Sequence, residues 1–261
     1  MQSFFDVERQ QYLAMAGIGR RLLEAGFSPV ATEPWQAGGF RTDHTPLLLE
    51  IAASFSDPPP PLPLRLFSQG PVFRPQTGRW IETVDVEWIG TVGPEQHRIM
   101  LSLADQLLRE IADAGLLNQP AVLVLGHRGW IRKLGRVLGL EEDRVAACIR
   151  CWQEGVLSGS DAFPDATKAL FQPSPAHTFF PALQEWLDVE SPLSAQKKAE
   201  VLWDLSFVGS HPYYTGLVFS AYHPESGREL ASGGEFALTV AGRRFEGFGF
   251  VLKLEGVGSH V

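Results

Sequence analysis

Leu64-Arg-Leu-Phe-Ser-Gln-Gly-Pro-Val-Phe73 and Thr83-Val-Asp-Val-Glu-Trp-Ile89 decide the fold. The first run carries apolar residues at Leu64, Leu66 and Val72, and the second alternates Val84, Val86 and Trp88 with polar positions. A period of two is the mark of a strand with one covered face. Between the runs lie Pro75, Gln76, Thr77 and Gly78, residue types that reverse a chain, so the pair is predicted to be an antiparallel hairpin. The arrangement sets Arg74 at one strand end and turns Glu87 inward from the partner strand.

Outward from the hairpin, helical and strand periods alternate. Toward the N-terminus, Ser3 and Asp6 open a helix in which Leu13, Ile18, Leu22 and Leu23 recur, and Gly26 ends it. A short strand is expected at Val30–Glu33, before Pro34. Thr45 and Pro46 then open an apolar helix running to Phe55. Asp57 to Pro63 is proline-rich and reads as a stiff surface connection. Beyond the hairpin, Pro94 opens a long amphipathic helix to about Leu117, and Ala121–Leu125 reads as a buried strand ending at Gly126. From Arg128 to about Phe207 a helical texture takes over. Strand texture returns at Leu217–Phe219, Phe236–Val240 and Phe248–Leu254. The expected organisation is a strand–helix core, 1–127 and 206–261, divided by a helical insertion at 128–205.

The chain has 261 residues, with 30 acidic against 22 basic side chains and a net charge of −8. Excess acid argues against a surface that tracks nucleic-acid phosphates. Hydrophobic residues make up 44% of the chain, enough for a packed core, and no apolar run is long enough for a membrane helix. The N-terminus lacks the basic flank and apolar run of a signal peptide, so a cytoplasmic protein is expected. Cys148 and Cys151 stand alone as a C-x-x-C; packed thiols, a metal half-site and a redox pair all fit the spacing. Arg128, Arg132, Lys133 and Arg136 form a basic helix face, either solvated or turned to an acidic partner. Neither a metal-binding histidine motif nor a glycine-rich nucleotide loop occurs, so neither metal nor cofactor is expected.

Three further segments carry more specific content. The hairpin joins Arg74, whose planar fork suits an anion, to Glu87, which can hold an ammonium. Phe40-Arg-Thr-Asp43-His-Thr45-Pro46 sets a carboxylate and a hydroxyl at a helix start. Pro212-Tyr213-Tyr214-Thr215-Gly216 brings two phenols into a strand. Capping, ion pairing or core filling would account for each of them singly.

In this order the segments resemble histidyl-tRNA synthetase, a class II synthetase: the hairpin its motif 2, Asp43 and Thr45 the loop that holds the substrate amine, Tyr213-Tyr214-Thr215-Gly216 a histidine-specific signature. Ser232-Gly233-Gly234 matches the glycines that follow, and Gly247-Phe248-Gly249 the start of motif 3. The likeness spans roughly 1–125 and 205–254. It implies an α+β fold, an antiparallel sheet flanked by helices, and a pocket for histidine lined by Asp43, Thr45, Arg74, Glu87, Tyr213 and Tyr214. The departures are chemical. Gly209 stands where the synthetase has an activating arginine, Leu254 falls near its ATP-binding arginine, Thr83 replaces a glutamine, the hairpin loop is short, and no anticodon-binding domain follows. Phosphoryl transition states need preorganised positive charge, so aminoacylation is not expected. A chain of this kind is similar to the regulatory subunit of ATP phosphoribosyltransferase, the synthetase paralogue of histidine biosynthesis. That resemblance implies a homodimer through the core, assembly with the short-form catalytic subunit, and no catalysis of its own. Two alternatives stay open: an amino-acid-activating ligase independent of tRNA, with Lys253 the nearest cation, and a free-standing histidine-binding scaffold.

Overall fold

A computed structural model describes residues 4–33, 35–36, 39–41, 43–54, 61–75, 77–153, 174–175, 200–204, 207–209 and 211–254. In chain order these form α1 (Phe4–Glu24), β1 (Ser28–Pro29), β2 (Trp35–Gln36), β3 (Gly39–Phe40), α2 (Thr45–Ser54), β4 (Leu64–Arg74), β5 (Arg79–Ile89), α3 (Pro94–Asp113), β6 (Val122–His127), α4 (Arg128–Leu138), α5 (Glu142–Gln153), β7 (Ser174–Pro175), β8 (Glu200–Trp203), β9 (Tyr214–Tyr222), β10 (Glu229–Val240) and β11 (Arg243–Lys253). Among the described residues one sheet dominates, in the order β1-β4-β5-β11-β10-β9-β6-β8-β7, with β2 and β3 as a separate small pair. The run from β4 to β6 is antiparallel throughout. At its ends β1 joins β4 and β8 joins β6 in parallel, so the sheet is mixed where the sequence suggested a purely antiparallel one.

The period of two assigns the two faces. On β5, Val84, Val86 and Trp88 enter the larger core beneath α1 and α3, while Ile81, Thr83, Asp85 and Glu87 turn to the other side. On β11, Phe248, Phe250 and Leu252 enter the same core, and Gly249, Val251 and Lys253 face away from it. Leu48, Leu49 and Ala52 of α2 close a second, smaller core against Leu66, Ile89, Phe236 and Phe245.

Several expectations change in detail. The buried stripe of α1 is Ala14, Ile18 and Leu22, spaced four apart, whereas Leu13 and Leu23 are exposed. The strand expected at Val30–Glu33 lies at Ser28–Pro29, where the chain pairs with Leu66 and Phe67. Helix α3 stops at Asp113 and not near Leu117, because Gly115 adopts a left-handed φ of 80°. Its N–H then bonds the Ala112 carbonyl (2.8 Å) while Leu116 bonds Ile111 (3.1 Å), a closed helix end. Strand β5 begins at Arg79, four residues ahead of the predicted Thr83. Within 128–205, α4 and α5 are helical, but Glu200–Trp203 is a strand of the main sheet. Phe55, residues 57–60 of the proline-rich connection and most of 154–199 lie outside the described residues; Pro61 to Pro63 are exposed. Cys148 packs at the margin of the larger core, and the Cys151 side chain is outside the description. Of the basic face, Arg132 pairs with Glu142 at 2.6 Å and Arg128 donates to the carbonyls of His211 and Pro212.

Candidate functional site

On the α2 side of the sheet, strands β4, β5, β10 and β11 floor a cavity of about 690 Å³, a size that suits a small metabolite. Asp43, Thr45, Arg74, Glu87, Tyr213 and Tyr214, the residues singled out in the sequence, all line it. They arrive from the start of α2, the end of β4, the middle of β5 and the entry to β9.

The loop before α2 is anchored by groups that the sequence did not flag. Arg41 is buried; its Nη1 donates to the Thr32 carbonyl (2.5 Å) and Oγ1 (2.7 Å), and its Nη2 to the Pro71 carbonyl (2.6 Å). His44 is fully buried, bonded to Thr32 Oγ1 at 2.8 Å. Burial, helped by the Arg41 charge, pushes the His44 pKa down to about 4. This buried lattice fixes Asp43, whose Oδ1 accepts the Thr45 N–H at 3.0 Å, and Thr45, whose hydroxyl donates to Glu87 Oε1 at 2.6 Å. No pattern at sequence level marks Arg41 or His44, because their partners are Thr32, in the segment after β1, and the Gly70 and Pro71 carbonyls of β4.

Glu87 is 1% exposed and Asp85 2%. Burial pushes the Glu87 carboxyl up to about 8; the Thr45 hydroxyl opposes the shift and Asp43 adds to it. Burial also raises Asp85 well above the carboxylate range, reinforced by Asp43 and Glu87. One oxygen of each, Glu87 Oε2 and Asp85 Oδ2, has no hydrogen-bond partner. Gly249 lies directly across from Glu87, and a side chain there would occupy the space of the Glu87 carboxylate. Glu229 accepts from Ser220 Oγ at 2.7 Å and pairs with Lys253. Asp85, Glu229, Lys253 and Thr83 are thus cavity residues besides the predicted six. Counting by two from Glu87 along β5 would have found Asp85 and Thr83.

Tyr213 stacks on His211 with centroids 4.8 Å apart and meets Tyr214 edge-on at 5.1 Å. Burial raises both phenols beyond their usual range, so both stay neutral and able to donate. Gly209 has a φ of 72°, and a Cβ built on it would stand 2.6 Å from the Tyr214 ring. Leu254 is fully buried in the larger core; the cavity-facing neighbour on that strand is Lys253. Among the described residues no group of three or more His, Cys, Asp or Glu side chains is placed to hold a metal ion, and no helix is long and apolar enough to cross a membrane.

A family model described as histidyl-tRNA synthetase matches residues 155–257. An ATP phosphoribosyltransferase regulatory subunit of Symbiobacterium thermophilum is 31% identical over 241 residues, covering 81% of this chain and 59% of that protein. The chain therefore spans little more than half the length of that relative. Among solved structures, an ATP phosphoribosyltransferase regulatory subunit/histidyl-tRNA synthetase from Bacillus halodurans superposes with a TM-score of 0.75 at 21% identity, covering 96% of this chain and 78% of that one. An ATP phosphoribosyl transferase (HisG:HisZ) complex from Thermotoga maritima contains a chain with a TM-score of 0.71 at 19% identity, with coverage of 97% and 99%. The fold is that of the class II synthetase-like proteins.

Proposed function

We propose that this chain, a relative of the histidyl-tRNA synthetase-like proteins, is a regulatory subunit of ATP phosphoribosyltransferase in histidine biosynthesis, with catalysis residing in a short-form partner subunit. The carrying observation is Gly209. On the synthetase resemblance, adenylate formation calls for a cationic side chain at this position before the tyrosine pair; position 209 carries none, and its left-handed backbone with the Tyr214 ring against it would strain any side chain placed there. What remains is a binding cavity on a rigid sheet. In this role the core forms a homodimer, and histidine enters the cavity with its ammonium toward Asp43, Thr45 and Glu87. Feedback then requires that histidine favour one assembly state over another, since equal affinity for both would shift nothing. The test is phosphoribosyl transfer by the short-form catalytic subunit with and without this chain. A clear rise in turnover is expected; equal rates would end the proposal.

Lys253 favours a second reading, an amino-acid-activating ligase, because it places a cation inside the cavity. Its pairing with Glu229 argues against that use. Gly209→Arg is a direct probe. The variant is expected to lose about 1–3 kcal/mol through backbone strain and overlap with Tyr214, and to show no amino-acid-dependent pyrophosphate exchange. Exchange in either the unaltered chain or the variant would revive the ligase.

A further inference from the structure

The face of the sheet opposite the cavity holds a second pocket, of about 510 Å³, between the end of α1, strands β4 and β5, and α3. Trp88 follows Glu87 on β5 and therefore turns the other way, into the larger core. Arg65, its cross-strand neighbour on β4, lies over the indole with the guanidinium carbon 4.4 Å from the ring centroid. From α3 come Arg98, Ser102 and Gln106, spaced by four along one helix face. Phe27 and Leu103, both buried, supply apolar wall.

Charge converges here with one sign. Arg65 and Arg98 line the pocket, and among the described residues no carboxylate does. The acids nearest along the chain are placed elsewhere: Asp105 pairs with Arg109, while Glu24 and Glu95 are exposed and outside the lining. Arg65 Nη1 reaches the Ala25 carbonyl at 3.4 Å, a long contact that leaves most of its fork unused. Arg98 is exposed. The Trp88 indole N–H is buried with no hydrogen-bond partner, a donor that natural interiors seldom leave unmet. We propose that this pocket binds a small organic anion, a carboxylate carried on a flat apolar body. Both guanidinium groups and the Trp88 N–H serve the carboxylate, and the body lies against Phe27 and Leu103. A neutral apolar molecule would leave two cations unanswered, and a bare phosphate would leave the apolar wall uncovered. The volume suits a small ligand. The pocket shares no residue with the cavity and does not depend on the regulatory role.

Titration calorimetry on the whole chain tests this with three probes: phenylacetate, its neutral amide phenylacetamide, and inorganic phosphate. Phenylacetate is expected to bind at least tenfold more tightly than either of the others. Arg98→Met and Arg65→Met, which keep an apolar stem and remove the charge, are each expected to weaken that binding tenfold or more. Thermal melting establishes that each variant is folded. A nitrogen–proton correlation spectrum locates the ligand. Of the seven tryptophans, the indole signal missing from Trp88→Phe belongs to Trp88, and it is expected to shift when phenylacetate is added. Equal binding of acid and amide, phosphate as tight as phenylacetate, binding unchanged in both Met variants, no binding at all, or an unmoved Trp88 signal would overturn the proposal. Sedimentation separates a second source of the carboxylate. A dimer of the unaltered chain that falls apart in Arg98→Met would put an acidic side chain of a second copy in the pocket, and would also overturn the small-molecule reading.

Discussion

Above pH 8, the Glu87→Gln protein without ligand is expected to melt at a higher temperature than the unaltered chain. A buried carboxyl whose folded pKa is raised to about 8 binds its proton more tightly in the folded state than in the unfolded one. Its favourable contribution is whole below the unfolded value, near 4.5, and drains away as pH climbs toward 8. Past that point the folded chain carries a buried charge that unfolding would release into water. The difference is on the order of a few kcal/mol, or roughly 5–10 °C for a chain of this size. Glutamine keeps an oxygen for the Thr45 hydroxyl and carries no titrating proton. His44 acts in the opposite direction at the acid end. Its depressed pKa means that the folded chain resists protonation, so stability is lost as pH falls from 6.5 toward 4. That slope is common to both proteins and cancels in the comparison. Melting temperatures measured from pH 5 to 9 decide the matter. Parallel curves would show that Glu87 does not titrate as its burial requires.

Phe248→Ala is expected to cost about 3–5 kcal/mol, the largest loss for a truncation on the core face of β11. Phe248 is fully buried at the centre of the larger core. Its ring stacks on Phe219 with centroids 6.2 Å apart and meets the His97 ring at 5.6 Å. The cavity left by truncation is walled by the β11 backbone, fixed between β5 and β10, so little collapse is available. Thermal melting should show a fall of roughly 10 °C or more. Leu13→Ala on the exposed side of α1 is the control, expected within about 0.5 kcal/mol of the unaltered chain. Similar melting temperatures for the two variants would contradict the burial described.

The part of the fold that could be read from the sequence is the part whose periods are local. The β4–β5 hairpin and the alternation along β11 state their faces outright, and α1 and α3 announce themselves by amphipathicity. Within α1, large side chains drew attention to Leu13 and Leu23, which are exposed, although the small Ala14 is the residue buried in the core. Strand β8 could not be read, because its four residues gain strand character from pairing with distant strands, parallel to β6 and antiparallel to β7. The site divides similarly. Glu87 and the tyrosine pair were legible through order and resemblance. Arg41 and His44 were not, because they position the site through Thr32 and through carbonyls of β4, and Asp85 was passed over although the period that places Glu87 also places it.

Glu87 and Gly249 are one object written on two strands. The acid can turn inward only because its cross-strand neighbour has no side chain, and the same arrangement recurs where Gly216 makes room for Glu235. Each carboxyl and its glycine therefore form a single heritable character: a lineage that lost the acid would be free to fill the void, and once it had, the acid could not return by a single step.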